Sequence, residues 1–106
     1  MTRPADFRTT VRRGRRIGTL HAVVHVLDRE PSAPSRFGFI VSKAVGGAVT
    51  RNLVRRRLRA VCRDILPTVE TGSDVVIRPL PGSDQVEWAT LHDEIADGIR
   101  RGVRKG

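Results

Sequence analysis

Hydrophobic and polar residues alternate along this chain with two periods, one helical and one extended. In Pro4 to Arg13, Pro suits a first turn, Phe7 and Val11 share a face four residues apart, and Gly14 follows as a stop, which predicts a helix. From about Ile17 to Leu27 the alternation predicts one long strand. Leu20, Ala22, Val24 and Val26 would face one way, and His21, Val23, His25 and Leu27 the other. Pro31 to Ser35 reads as a turn. Arg36 to Ser42 reads as a second strand, with Phe37, Phe39 and Val41 opposite Gly38, Ile40 and Ser42. Gly46 and Gly47 break the pattern before a long helix, roughly Ala48 to Leu66, that Pro67 ends. Asp74 to Arg78 is a short apolar strand between Gly72-Ser73 and Pro79-Leu80-Pro81. A last helix is predicted from Ser83 or Asp84, with Asp84 and Glu87 spaced as a capping box and Trp88, Leu91, Ile95 and Ile99 as its buried stripe. The order α-β-β-α-β-α predicts a single α+β domain over residues 1–106, a sandwich of one sheet with packed helices.

Wound at about 100° per residue, the long helix separates into two faces. Val54, Leu58, Val61, Cys62 and Ile65 form the apolar one. Arg51, Asn52, Arg55, Arg56, Arg59 and Arg63 fall within an arc of roughly 140° on the other. A solvated face would interleave acids with bases at i, i+4, whereas this one stacks like charges, which a polyanion would relieve. The whole chain agrees: 20 Lys and Arg against 11 Asp and Glu give a net charge of +9. Up to Arg63 only Asp6, Asp28 and Glu30 oppose the cations. Nucleic acid is the expected partner, met by the first two-thirds of the chain. The near absence of base-edge readers other than Asn52 favours backbone contacts to structured RNA over a DNA major groove. A ribosomal or RNA-chaperone protein and a DNA-binding regulator remain the alternatives at this point.

Other chemistry is poorly represented. No paired carboxylates stand at a catalytic spacing in the basic region, and no Ser-His-Asp set or phosphate-cradling Gly loop is apparent, so no catalytic residue is expected in the chain. His21 and His25 fall on one face of the predicted strand but lack further ligands, so no metal site is expected. His25 reads instead as a residue that stacks on a base or contacts a phosphate. The lone Cys62 reads as a small core hydrophobe, and Trp88, Phe37 and Phe39 as core. One Cys, no apolar run of membrane-spanning length and no signal-peptide pattern predict a cytoplasmic protein without a membrane partner.

The segment Arg51-Asn52-Leu53-Val54-Arg55-Arg56-Arg57-Leu58-Arg59 resembles the basic helix of the bacterial ribonuclease P protein component, Arg-Asn-x-x-Lys-Arg-x-x-Arg, with Arg55 where Lys is usual. The resemblance extends through Phe37 to Lys43 and Val45 to Val49, back to Ala5-Asp6-Phe7 and Arg12-Arg13-Gly14, and on to Asp74 to Pro79. It implies a fold like the ribosomal protein S5 domain 2, with a left-handed βαβ crossover through the basic helix. It also implies an accessory subunit of an endoribonuclease whose catalytic RNA, with its own Mg²⁺, removes the 5′ leader of precursor tRNA. The protein would bind no cofactor alone, would broaden substrate recognition, and would act as a monomer in a 1:1 complex with the RNA. Carried over by position, Lys43, Arg51, Asn52, Arg55, Arg56, Arg59 and Arg63 would contact the ribozyme. Phe7, Val11, His25, Ile40 and Ser42 would line a cleft for the leader. Departures from the family pattern are Val11 in place of an aromatic, His25 in place of Tyr, Ala44 in place of Lys, Gly47 in place of Asn and Leu53 in place of Arg.

Overall fold

Alternation along the strands settles which helix covers which side of the sheet. The computed structural model describes residues 3–65, 67 and 72–103. Helix α1 spans Pro4–Arg13, strands β1 and β2 span Arg15–Gly18 and Ala22–Asp28, and β3 spans Arg36–Phe39. Helix α2 covers Ala48–Ile65, β4 covers Ser73–Pro79, a 3₁₀ turn covers Ser83–Gln85 and α3 covers Trp88–Gly102. The sheet order is β1-β2-β4-β3; β1 and β4 each run antiparallel to β2, and β3 runs parallel to β4. A parallel pair needs a crossover, and α2 supplies it.

Ala22, Val24 and Val26 of β2 and Val75 and Ile77 of β4 share one face. There they pack on Val54, Leu58, Val61 and Cys62 of α2 and Leu91, Ile95 and Ile99 of α3, with Phe37 and Phe39 at the margin. The opposite face carries a row set by the strand register: Arg16 opposite His25, His25 opposite Val76, and Gly38 on the far side of Val76. Helix α1 lies over this second face. The Phe7 ring rests on Gly38, where an added Cβ would meet ring atoms at 2.6 and 2.7 Å. Arg36 ties the helix to the sheet: its fork holds buried Asp74 at 2.8 and 2.6 Å and reaches Asp6 of α1 at 3.4 Å. Arg29 adds a third bond to Asp74 at 3.3 Å.

Several sequence expectations are corrected. The single strand over Ile17–Leu27 is a hairpin, β1 and β2 joined through Thr19, Leu20 and His21. The Thr19 N–H donates to the Ala22 carbonyl at 2.8 Å and the Thr19 hydroxyl accepts from the Ala22 N–H at 3.1 Å, building the turn with a side chain that hydropathy does not register. Leu20 is therefore 82% exposed rather than in line with Val24, and His21 does not share a strand face with His25. Strand β3 ends at Phe39, leaving Ile40 to Ser42 beyond it, although the Ile40 N–H still donates to Ile77 of β4 at 3.0 Å. The last helix starts at Trp88 rather than at Ser83 or Asp84. Asp84 and Glu87 form no capping box: Glu87 is the N-cap without a side-chain bond, and Asp84 sits in the 3₁₀ turn. Trp88, in the first turn of α3, is 40% exposed and lies against the His92 ring at 4.9 Å instead of in the core. Leu66, the expected end of the long helix, lies outside the described residues.

Candidate nucleic-acid interface

Helix α2 buries the side expected of it. Val54, Leu58, Val61, Cys62 and Ile65 are all inside. Burial pushes the Cys62 thiol up to about 12, so it is a packing group and not a nucleophile. Outward stand Asn52, Arg56, Arg59 and Arg63, all exposed, with Arg51 and Arg55 half-buried. Among the described residues no ion pair joins any of these five arginines to a carboxylate; the arginine pairs that do form use Arg15, Arg29, Arg36 and Arg101. Arg55 donates to the Asn52 amide oxygen at 3.2 Å, which orders the two as a unit. Together Val49, Asn52, Arg55, Arg56 and Arg59 border an open groove of about 460 Å³. Arg51 is set deeper, its Nε buried without a hydrogen-bond partner.

Two residues refine the face. Arg57, on the flank, donates to the Asp84 and Val86 carbonyls at 3.2 and 3.1 Å, bracing α2 against the segment that leads into α3. Val49 was missed by sequence reasoning. It is 85% exposed at the mouth of the arginine groove, and its signal was an apolar residue one turn before Leu53 that falls off the buried stripe. Lys43 is exposed in the turn leading to α2, next to exposed Ser42.

The second group of expected residues gathers on the α1 side of the sheet. Phe7, Val11 and Ile40 are half-buried. The strand register places Arg78 beside Val23, with Ile40 just past the end of β3. His25 is on the same face but only 3% exposed, and both ring nitrogens are buried without a partner. Burial first, then the neighbouring Arg16 and Arg78 charges, lower its pKa. So buried, the ring offers no open surface for a base or a phosphate, which corrects the stacking or phosphate-contacting role expected of it. His21 is elsewhere: its Nδ1 lies 2.8 Å from Glu94 Oε2, and the Glu94 carboxylate also accepts from the Thr19 hydroxyl at 2.7 Å and from the His21 N–H. Burial pushes the Glu94 carboxyl up, but these bonds outweigh it and hold it below its ordinary range. Among the described residues no three His, Cys, Asp or Glu side chains come together to hold a metal, and no helix is long and apolar enough to cross a membrane.

The sheet thus carries an unpaired arginine face on one side and helix α1 on the other. The chain matches the family model described as Ribonuclease P over residues 1–102. It belongs to the ribonuclease P protein family. The ribonuclease P protein component of Clavibacter michiganensis subsp. michiganensis is 54% identical over 104 residues, covering 98% of this chain and 92% of its own. That of Rhodococcus opacus is 46% identical over 107 residues, covering 95% and 86%. The solved ribonuclease P protein of Thermotoga maritima has the same fold, with a TM-score of 0.83 at 23% identity over 95% of this chain and 93% of that one. The Staphylococcus aureus protein also gives 0.83, at 19% identity over 95% and 92%. Ribonuclease P proteins are accessory subunits of an endoribonuclease; they work with ribonuclease P RNA on precursor tRNA, whose 5′ leader is removed.

Proposed function

We propose that within ribonuclease P this chain divides its two partners between the two sides of its sheet. Arg51, Asn52, Arg55, Arg56, Arg59 and Arg63 of α2, with Lys43 before it, hold the phosphate backbone of the catalytic RNA. Phe7, Val11, Ile40 and Ser42, over the floor that His25 supports, hold the single-stranded leader. The observation that carries this reading is the α2 face itself: five guanidiniums on one side of a helix with no carboxylate answering them among the described residues. Their mutual repulsion is relieved only by an anion, and planar guanidiniums suit phosphate.

Cleavage chemistry belongs to the RNA, whose own Mg²⁺ supplies activation of the attacking water. The side chains of this chain hold and orient the two RNAs and carry no cleavage step. What it contributes is neutralisation, since +9 on a small domain lowers the repulsion between ribozyme and substrate and with it the magnesium needed to bring them together. The complex is a 1:1 assembly of one protein monomer and one RNA, in the cytoplasm.

The test is the double variant Arg56→Ala/Arg59→Ala. A phosphate without its arginine keeps its condensed counterions on binding, so ribozyme affinity should fall and the slope of log K against log salt should flatten by roughly 1–2. Filter binding across a salt series reads both. A slope equal to wild type overturns the assignment of this face.

A further inference from the structure

Helix α1 has an outer face that the reading above leaves unused. At about 100° per residue, Arg8, Arg12, Ala5, Thr9 and Arg13 spread over roughly 140° of the helix. All five are exposed and line an open groove of about 410 Å³. Among the described residues no ion pair reaches Arg8, Arg12 or Arg13. The one acid of α1, Asp6, is turned toward Arg36. Arg8 and Arg12 stand one turn apart, the same like-charge stacking seen on α2. The two basic faces cannot serve one flat surface, because α1 and α2 cover opposite sides of the sheet.

Position on the helix selects the occupant. Going round α1, Phe7 is followed at roughly 40° by Val11, then at roughly 60° by Arg8 and a further 40° by Arg12. The cleft wall therefore runs without interruption onto the arginine ridge. The ridge has no aromatic side chain; Ala5 and Thr9 lie low between the cations. Such a surface grips phosphates and offers no platform for bases.

We propose that the outer face of α1 binds the phosphodiester backbone of the leader upstream of the stretch held in the cleft, so that a long leader leaves the cleft past Val11 and crosses Arg8 and Arg12. This rests on the cleft reading given above. Binding here is independent of sequence and depends on leader length.

The experiment uses the reconstituted holoenzyme and precursor tRNAs with leaders of about 5 and about 12 nucleotides, within the range a small single-strand groove engages. Wild type should bind the longer leader several-fold more tightly, with a salt slope steeper by about 0.7 for each added phosphate held. Arg8→Ala/Arg12→Ala should lose that increment and its slope while binding the short leader as wild type does. An increment that survives the substitutions, or none in wild type, overturns the proposal. So does equal weakening with both leaders and with the catalytic RNA alone, which would give the ridge to the ribozyme. Val11→Phe separates this from the cleft reading: added stacking should tighten both leaders by about fivefold or more. If Val11→Phe does so while the length increment ignores Arg8 and Arg12, the ridge fails and the cleft stands. If Val11→Phe changes neither leader, the cleft reading fails with it.

Discussion

His25 holds a ring that no other group among the described residues answers. Both nitrogens are buried without partners, and burial together with Arg16 and Arg78 lowers its pKa from the ordinary value. The folded chain keeps the ring neutral where the unfolded chain protonates it. As pH falls below about 6.5 the unfolded state takes up a proton that the folded state refuses, so stability declines, by at most about 1.4 kcal/mol per pH unit, until the folded ring titrates as well. His25→Leu removes this contribution. Denaturant melts at pH 7.5 and 5.5 should show a smaller loss in the variant than in wild type, with its stability at pH 7.5 equal to or above wild type because an unsatisfied buried polar group has gone. Equal losses in both proteins would show that the ring is protonated in the fold. Sequence placed His25 on the correct face by alternation, but alternation reports direction and not depth. What buries the ring is α1 lying across the sheet, a contact made only in three dimensions.

At the scale of elements, the seat of α1 on the sheet depends on Gly38. A methyl there would come within 2.7 Å of the Phe7 ring, so Gly38→Ala must displace that ring or lift the helix that carries it. Overpacking of this kind costs about 1–3 kcal/mol. Urea unfolding should register that loss, while affinity for the catalytic RNA alone stays near wild type because α2 packs on the other side of the sheet. A stability unchanged by the methyl would mean that Phe7 is not seated there. Elements with a strong period were legible: α1, β4 and the whole buried stripe of α2, Val54 to Ile65, could be read from spacing. The hairpin was not. Gly18 was the one breaker in an alternating run, and the turn is held by the Thr19 hydroxyl and by Glu94, which is 75 residues further along the chain. The start of α3 was misplaced for a similar reason: Asp84 and Glu87 have the spacing of a capping box, but the Asp84 and Val86 carbonyls are taken by Arg57, and the chain is extended at Val86.

Across the whole molecule, charge and topology act together. The crossover between the parallel strands β3 and β4 places α2 on the side of the sheet away from α1, so the arginine face and the α1 side are separated by a packed layer of Val24, Val26, Val75 and Ile77. The arginine arc was legible because Arg is recognised wherever it falls and helical geometry then sorts it. The residues proposed for the leader were named only through the family resemblance, since they come from α1, β2 and the segment after β3. If the two surfaces are independent, substitutions on them add. Arg56→Ala/Arg59→Ala should weaken attachment to the catalytic RNA, and Val11→Phe should tighten the leader. Combined, their effects on the free energy of assembling protein, RNA and precursor should sum to within about 0.5 kcal/mol, as expected for well-separated sites. Isothermal titration of each variant and of the combination gives the cycle. A coupling well beyond that limit would mean that the sheet transmits strain between its faces, or that one RNA strand touches both; either result would replace the picture of two separately held partners with that of one continuous surface.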